Sequence, residues 1–364
     1  MPNQKISKEK SIKRTKTFVE VAICAVLLAA GGFLIKGAMD RSKPVGRSDY
    51  EASEVEVDIP VPEDTTDPNM LLYTSVSVPT KDKFYGDLIL VNNDHQYYHS
   101  GEEDLVSINE LNDEQGISFF SAVDYDYTIL RQAYQPMVDL ITDYYNKYFD
   151  DTIIIYGSYR TTEFQKSLYD DDLAQTGNDE STRVAKAGFS EHETGLAIDL
   201  SETVDYDYTG EGDQAWINQN CYKYGFIERY QEDKTELTYI QPEPWHFRYV
   251  GIPHAAYITR SGICLEEYID LLRTTYPYEG DHLSFADDDG NNYEVYFVAS
   301  DDGADTTSVP VPSGLKYDIS GNNVDGFIVT VYKDVPETAE PTYPAQETTE
   351  AEETTEAEPD EVAG

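Results

Sequence analysis

Residues 18–35 (FVEVAICAVLLAAGGFLI) form an apolar run broken only by Glu20, and no other stretch so restricts where the rest of the chain can fold. At a helical rise of about 1.5 Å per residue the run reaches roughly 27 Å, close to the roughly 30 Å of a bilayer's hydrocarbon core. Lys5, Lys8, Lys10, Lys13, Arg14 and Lys16 precede it against the single Glu9. A basic flank of this kind predicts an N-terminus inside and everything after Lys36 outside the membrane. A secretory signal has a shorter apolar region ending in a small-residue cleavage site. Here Lys36-Gly37-Ala38-Met39 follows, so a single-pass, uncleaved anchor over 18–35 is the expected arrangement, with a cleaved signal peptide as the alternative. Either way the bulk of the chain is extracytoplasmic.

Charge narrows the partners. The 364 residues carry 26 Lys and Arg against 70 Asp and Glu, a formal net charge of −44. Phosphate contacts need cations, so the balance argues against a nucleic-acid partner. Residues 334–364 hold 11 acidic and no basic side chains with few large apolar ones, and such a segment is expected to stay disordered because it cannot offset its ordering entropy. Residues 36–83 are polar and Pro-containing and read as a linker. The three cysteines are too few for a disulfide scaffold and lack C-x-x-C spacing. Cys24 lies inside the apolar run, and Cys221 and Cys264 either pair in an oxidising space or stay as separate buried thiols.

Within the remainder, 87–92 (DLILVN) and 153–156 (IIIY) read as short strands. Residues 127–149 show helical spacing through Leu130, Ala133, Met137, Leu140, Ile141 and Tyr144. Residues 162–173 suit a further helix capped by Thr161 or Thr162. After Pro277 the pattern changes to Tyr, Val and Phe alternating with polar residues, as in YEVYFVAS and GFIVTVYK, the mark of a small β-rich appendage. The fold class expected is α+β.

Chemistry concentrates between 157 and 250, in GSYR with Gln165, in SEHETGLAID (190–199) and in EPWHFRYV (243–250). His192, Asp199 and His246 are candidate metal ligands, and a His/His/Asp set with a fourth position left to water is the composition of a catalytic zinc site. Glu243 is then the candidate base for the attacking water. Pro244-Trp245 disfavours a helix around it, while LAIDL reads as a strand holding Asp199. Arg160 is the candidate to stabilise the anion of a tetrahedral intermediate. Trp245, between Glu243 and His246, belongs at the cleft. The bland alternative has His192 in a loop, His246 as a core histidine and Asp199 as a turn carboxylate. His95, His99, His254 and His282 lack comparable surroundings and read as surface or packing residues.

These strings resemble the VanY-type D-alanyl-D-alanine carboxypeptidases: S-x-H-x-x-G-x-A-x-D at 190–199, E-x-x-H at 243–246, the Ser158-Tyr159-Arg160 segment with Gln165, and LILVNNDH at 88–95. The resemblance covers roughly residues 84–275. It implies zinc bound by His192, Asp199 and His246, Glu243 as general base, Arg160 assisting the scissile carbonyl, and Gln165 and Ser190 lining the substrate site. It also implies a small antiparallel sheet with flanking helices, as in the Hedgehog signalling domain. The activity implied is removal of the C-terminal D-alanine from peptidoglycan stem peptides. The alternatives are a related dipeptidase or endopeptidase, or an inactive zinc-containing wall-binding module. Where relatives carry a Gly-containing turn and a Tyr before E-P-W-H, this chain has Thr238-Tyr239-Ile240-Gln241-Pro242, so the cleft rim is expected to differ. The layout expected is a basic cytoplasmic arm (1–17), an anchor (18–35), a linker (36–83), a zinc carboxypeptidase domain (84–275), a β-rich appendage (276–333) and an acidic tail (334–364).

Overall fold

A computed structural model describes residues 72–101 and 103–337. The expected basic arm, the apolar run 18–35 and the tail beyond 337 lie outside the described residues, among which no helix is long and apolar enough to cross a membrane. In chain order the strands are β1 (Tyr73–Pro79), β2 (Leu105–Ser107), β3 (Ser121–Ala122), β4 (Thr128–Leu130), β5 (Ile153–Gly157), β6 (Ala197–Glu202), β7 (Phe226–Tyr230) and β8 (Glu243–Tyr249). β9 to β13 follow at Leu283–Ala286, Asn292–Ala299, Thr306–Pro312, Leu315–Gly321 and Gly326–Pro336.

The central sheet has the order β3-β5-β6-β8-β7. Its pairs are antiparallel except for the two-residue β3, which lies parallel to β5. The helix Arg131–Tyr148 intervenes between β4 and β5, and a helical crossover of this kind is what lets a strand return parallel. The sheet is therefore mixed where a purely antiparallel one was implied. Side chains alternate across each strand. Ile153 and Ile155 of β5, Ile198 and Leu200 of β6 and Phe247 of β8 join Ala133, Met137, Leu140, Ile141 and Tyr144 of that helix in one core. The intervening Asp199, His246 and Arg248 are thereby turned to the opposite face. Each fully buried Ile, Leu or Phe contributes roughly 1.5–3 kcal/mol. A one-residue slip of β6 against β8 would trade Phe247 for a histidine, so the apolar face fixes the register of the polar one.

The helix over 162–173 extends to Thr162–Thr176, with the Thr161 hydroxyl accepting the Phe164 N–H at 3.2 Å and Gly177 ending it in the left-handed conformation. A second core joins the helices Ile252–Ser261 and Leu265–Thr275 to Leu283, Val295, Phe297 and Ile328 of the β-rich region. That region's sheet, β12-β13-β10-β9, thus shares its interior with the segment that follows β8. Cys221 sits in the first core and Cys264 caps the helix Leu265–Thr275; both are buried free thiols.

Three expectations change. Residues 73–84, assigned to the linker, form β1, which pairs along its whole length with β11, and a 3-10 turn at Thr80–Phe84. Val76 and Val78 alternate with serines, and Val78 is buried with Val309, Val311 and Val329; the flanking Thr, Ser and Pro masked that period. Residues 87–92 belong to no strand: Asp87 and Leu88 lie in a turn, Leu88 to Asn92 are buried, and Asn92 makes only an isolated bridge to His95. Their backbone is satisfied individually: Arg248 Nη2 donates to Asp87 O and Ile89 O at 2.9 Å, Leu88 N–H donates to Ser320 Oγ at 3.0 Å, and Asn323 Nδ2 donates to Leu90 O at 2.7 Å. Residues 334–336, expected in the disordered tail, complete β13.

Candidate metal centre and active site

Asp199 and His246 are direct cross-strand partners in β6 and β8, and Gly157 of β5 lies opposite Asp199 on its other side. His192 comes from the 3-10 turn Glu191–Thr194, which leads through Gly195 into β6. Two short-range devices fix this approach. Gly195 has φ +73°, and a Cβ there would lie 2.9 Å from Leu105 Cδ2, so only glycine turns the chain there without strain. A Cβ on Gly157 would come within 2.3 Å of Asp199 Oδ2, so the carboxylate occupies the space that residue 157 leaves empty.

One nitrogen or oxygen from each of His192, Asp199 and His246 lies within 4.8 Å of the others, and all three residues are buried. His192 Nε2 is 3.1 Å from Asp199 Oδ2, and His246 Nδ1 is 2.8 Å from Asp199 Oδ1. Each imidazole is anchored through its other nitrogen: His192 Nδ1 lies 2.8 Å from Ser158 O, and His246 Nε2 lies 3.4 Å from Glu191 Oε2. Two histidines and a carboxylate, each ring tied from behind, fit a zinc ion by donor chemistry and by the orientation of the donor atoms.

The electrostatics of the cradle follow from burial set against charge. Burial and the nearby Arg160 guanidinium lower His192 to about 4. For His246 burial acts the same way, but hydrogen bonds to Asp199 and Glu191 outweigh it and push the ring up to about 9. Asp199 would be raised by burial, yet the two imidazoles hold it well below the ordinary carboxylate range. Glu243 has its carboxylate 3.9 Å from His246 Nδ1, and burial with the charge of Asp199 pushes it up to about 8 against the pull of His246. Beside a divalent cation a carboxyl of this kind is drawn back toward ionisation.

The cradle opens into a cleft of about 390 Å³ whose walls include Arg160, Gln165, Ser190, Glu243 and Trp245. All the site residues named from sequence therefore converge on one cavity. Arg160 Nη2 donates to Asp199 Oδ2 at 2.7 Å, and Arg160 Nη1 donates to Gln165 Oε1 at 3.4 Å. Gln165 is buried and donates to Ala185 O at 2.8 Å, tying Arg160 to the 177–189 loop. The divergent rim at 238–242 joins that same loop: Gln241 N–H donates to Thr182 O at 2.8 Å. His254 is buried away from the cradle between Tyr268 and Thr330, and His282 bonds Glu294 in the β-rich region.

Sequence reasoning passed over the layer behind the cradle. Glu191, read only as a spacer in the motif, is buried and accepts from Arg229 Nε and Arg248 Nη1, both at 2.8 Å. Arg229 also donates to Glu266 at 2.6 and 2.8 Å. Tyr230, likewise buried, lies 4.8 Å ring to ring from His246 and lines the cleft. The hint in the sequence was the placement of Arg229 next to Tyr230 and of Arg248 between Phe247 and Tyr249, where a buried cation must be paired.

Residues 129–252 match the VanY family, described as D-alanyl-D-alanine carboxypeptidase. A D-alanyl-D-alanine carboxypeptidase of Enterococcus faecium is 36% identical over 256 residues, which cover 70% of this chain and 78% of that protein. A bifunctional D-Ala-D-Ala dipeptidase and carboxypeptidase of Enterococcus gallinarum is 43% identical over 125 residues, 32% of this chain and 66% of the relative. Among solved structures, the vancomycin-resistance D,D-dipeptidase VanXYg, in complex with a D-Ala-D-Ala phosphinate analogue, aligns at a TM-score of 0.63 with 29% identity, covering 72% of this chain and 100% of that one.

Proposed function

The chain belongs to the VanY family of D-alanyl-D-alanine carboxypeptidases, and from that premise we propose that it removes the terminal D-alanine of peptidoglycan stem peptides with zinc held by His192, Asp199 and His246. The observation that carries the reading is the buried His/Asp/His cradle with Glu243 beside it at the floor of a cleft. Zinc, when bound, polarises the scissile carbonyl and lowers the pKa of water toward neutrality. The remaining steps fall to side chains of this chain. Glu243 accepts the proton of the attacking water and returns it to the leaving amine of D-alanine, so the protons balance. Arg160, positioned by Gln165, carries a fixed positive charge to the carbonyl oxygen as it becomes anionic. Ser190 and Trp245 shape the wall against which the peptide lies.

The basic arm and apolar run support placing the catalytic domain on the outer face of a membrane, tethered by residues 18–35, where its substrate is exposed. Likeness to a bifunctional dipeptidase and to a D,D-dipeptidase structure favours one second reading, in which the same site also opens free D-Ala-D-Ala. The test is to incubate the zinc-loaded protein separately with pentapeptide stem, tetrapeptide stem and D-Ala-D-Ala, and to measure free D-alanine. Release from the pentapeptide is expected. Release from the dipeptide as well would establish the second reading, and release from the dipeptide alone would overturn the carboxypeptidase reading.

A further inference from the structure

We propose that Glu191 is a positioning residue that selects the tautomer of His246 and so sets the metal affinity of the cradle. The inference rests on the zinc reading above and extends it to a residue that touches neither metal nor substrate. His246 faces carboxylates through both ring nitrogens, Asp199 through Nδ1 and Glu191 through Nε2. Nδ1 is the atom in the cradle, so it must be free of its proton to ligate, and the ring's proton must then sit on Nε2. Glu191 accepts it there. The two oxygens of Glu191 divide the work: Oε1 receives Arg229 Nε and Arg248 Nη1 at 2.8 Å each, while Oε2 faces the imidazole. Both guanidinium side chains and the carboxylate are fully buried, so the carboxylate can neither rotate away nor be replaced by water.

This division predicts an unusual consequence for an isosteric change. In Glu191→Gln the two arginines are donors only and claim the amide oxygen. The amide NH2 is then left facing His246 Nε2, which can only accept from it, and the proton is driven to Nδ1, where it blocks the ligating lone pair. The neutral amide thus does more than remove a charge: it favours the wrong tautomer.

The experiment uses the purified full-length chain. Zinc affinity is measured by competition with a chromophoric chelator, and the cobalt(II)-loaded protein is examined by visible absorption, which reports the ligand set independently of activity. For Glu191→Gln we expect zinc binding about 10–100-fold weaker and, at saturating metal, a cobalt spectrum altered by loss of one imidazole. Glu266→Gln loosens Arg229 without touching His246, so it should retain the wild-type zinc affinity and cobalt spectrum even where it lowers the melting temperature. Glu191→Asp keeps the charge both arginines require but draws the carboxylate back from the ring. It should weaken zinc in the same direction, and it serves should Glu191→Gln fail to fold. Wild-type affinity and spectrum in a folded Glu191 variant would overturn this inference alone, as would equal losses in Glu191→Gln and Glu266→Gln. A wild-type protein that binds no zinc would overturn the metal reading on which it rests.

Discussion

The two faces of the β6–β8 pair are equally buried and chemically opposite. One presents Ile198, Leu200 and Phe247 to an apolar core; the other presents Asp199, His246 and Arg248 to a layer of carboxylates, imidazoles and guanidinium groups. Their difference shows how a small sheet can carry a reactive site. Apolar burial fixes the register, and the register places Asp199 beside His246. Buried charges would each cost several kcal/mol if left alone. Here Glu191, Arg229, Arg248 and Glu266 compensate one another.

The polar face is most sensitive at Gly157. Replacing it with alanine puts a methyl group where the Asp199 carboxylate lies, and a ligand displaced by about 1 Å can cost about 100-fold in rate. Gly157→Ala should lose most D-alanine release and bind zinc more weakly while still melting cooperatively; full activity would show that Asp199 has room the structure denies it. Next comes the apolar face. Phe247→Ala should lower unfolding stability by about 3–5 kcal/mol in urea titration, with the folded fraction still binding zinc. If zinc binding disappeared in protein that remained folded, register would depend on Phe247 more than the other core residues allow.

A smaller effect sharpens the contrast between buried histidines. His246 is held by carboxylates, whereas His254 has only Tyr268 Oη at 2.8 Å and Thr330 Oγ1 at 2.9 Å, and burial pushes it down to about 3. Because its folded pKa lies below the ordinary 6.5, the unfolded chain binds the extra proton, and stability falls as pH drops from 6.5 toward 3. At about 1.4 kcal/mol per unit, His254→Gln should lose about 2 kcal/mol less than wild type between pH 6.5 and 5. Equal losses in urea titrations at the two pH values would mean that His254 does not carry the effect.

Legibility followed the range of the interactions. IIIY, AIDL and the helices at 131–148 and 162–176 showed because their patterns are local, and three short segments named His192, Asp199, His246, Glu243, Arg160, Gln165, Ser190 and Trp245, all of which line the cleft, but not Tyr230, which lines it too. The Asp199–His246 pairing could not be seen, since strand register is decided by a core assembled from distant segments. Glu191 was opaque for the same reason: its partners Arg229 and Arg248 lie 38 and 57 residues away. Residues 87–92 looked like a strand because apolar runs usually find a ladder; here the Arg248 side chain takes the role of the neighbouring strand. β1 was missed because its partner, β11, follows more than 200 residues later.

In the proposed function the zinc cradle and Glu243 act as separate parts of one peptidase site. The direct measurement is Glu243→Ala, followed for both zinc content and D-alanine release from a pentapeptide stem. Glu243 only borders the ligands, so the variant should keep one equivalent of zinc while turnover falls by about 100- to 10,000-fold, the range expected for loss of a general base. Zinc retained together with undiminished release would rule Glu243 out as the base.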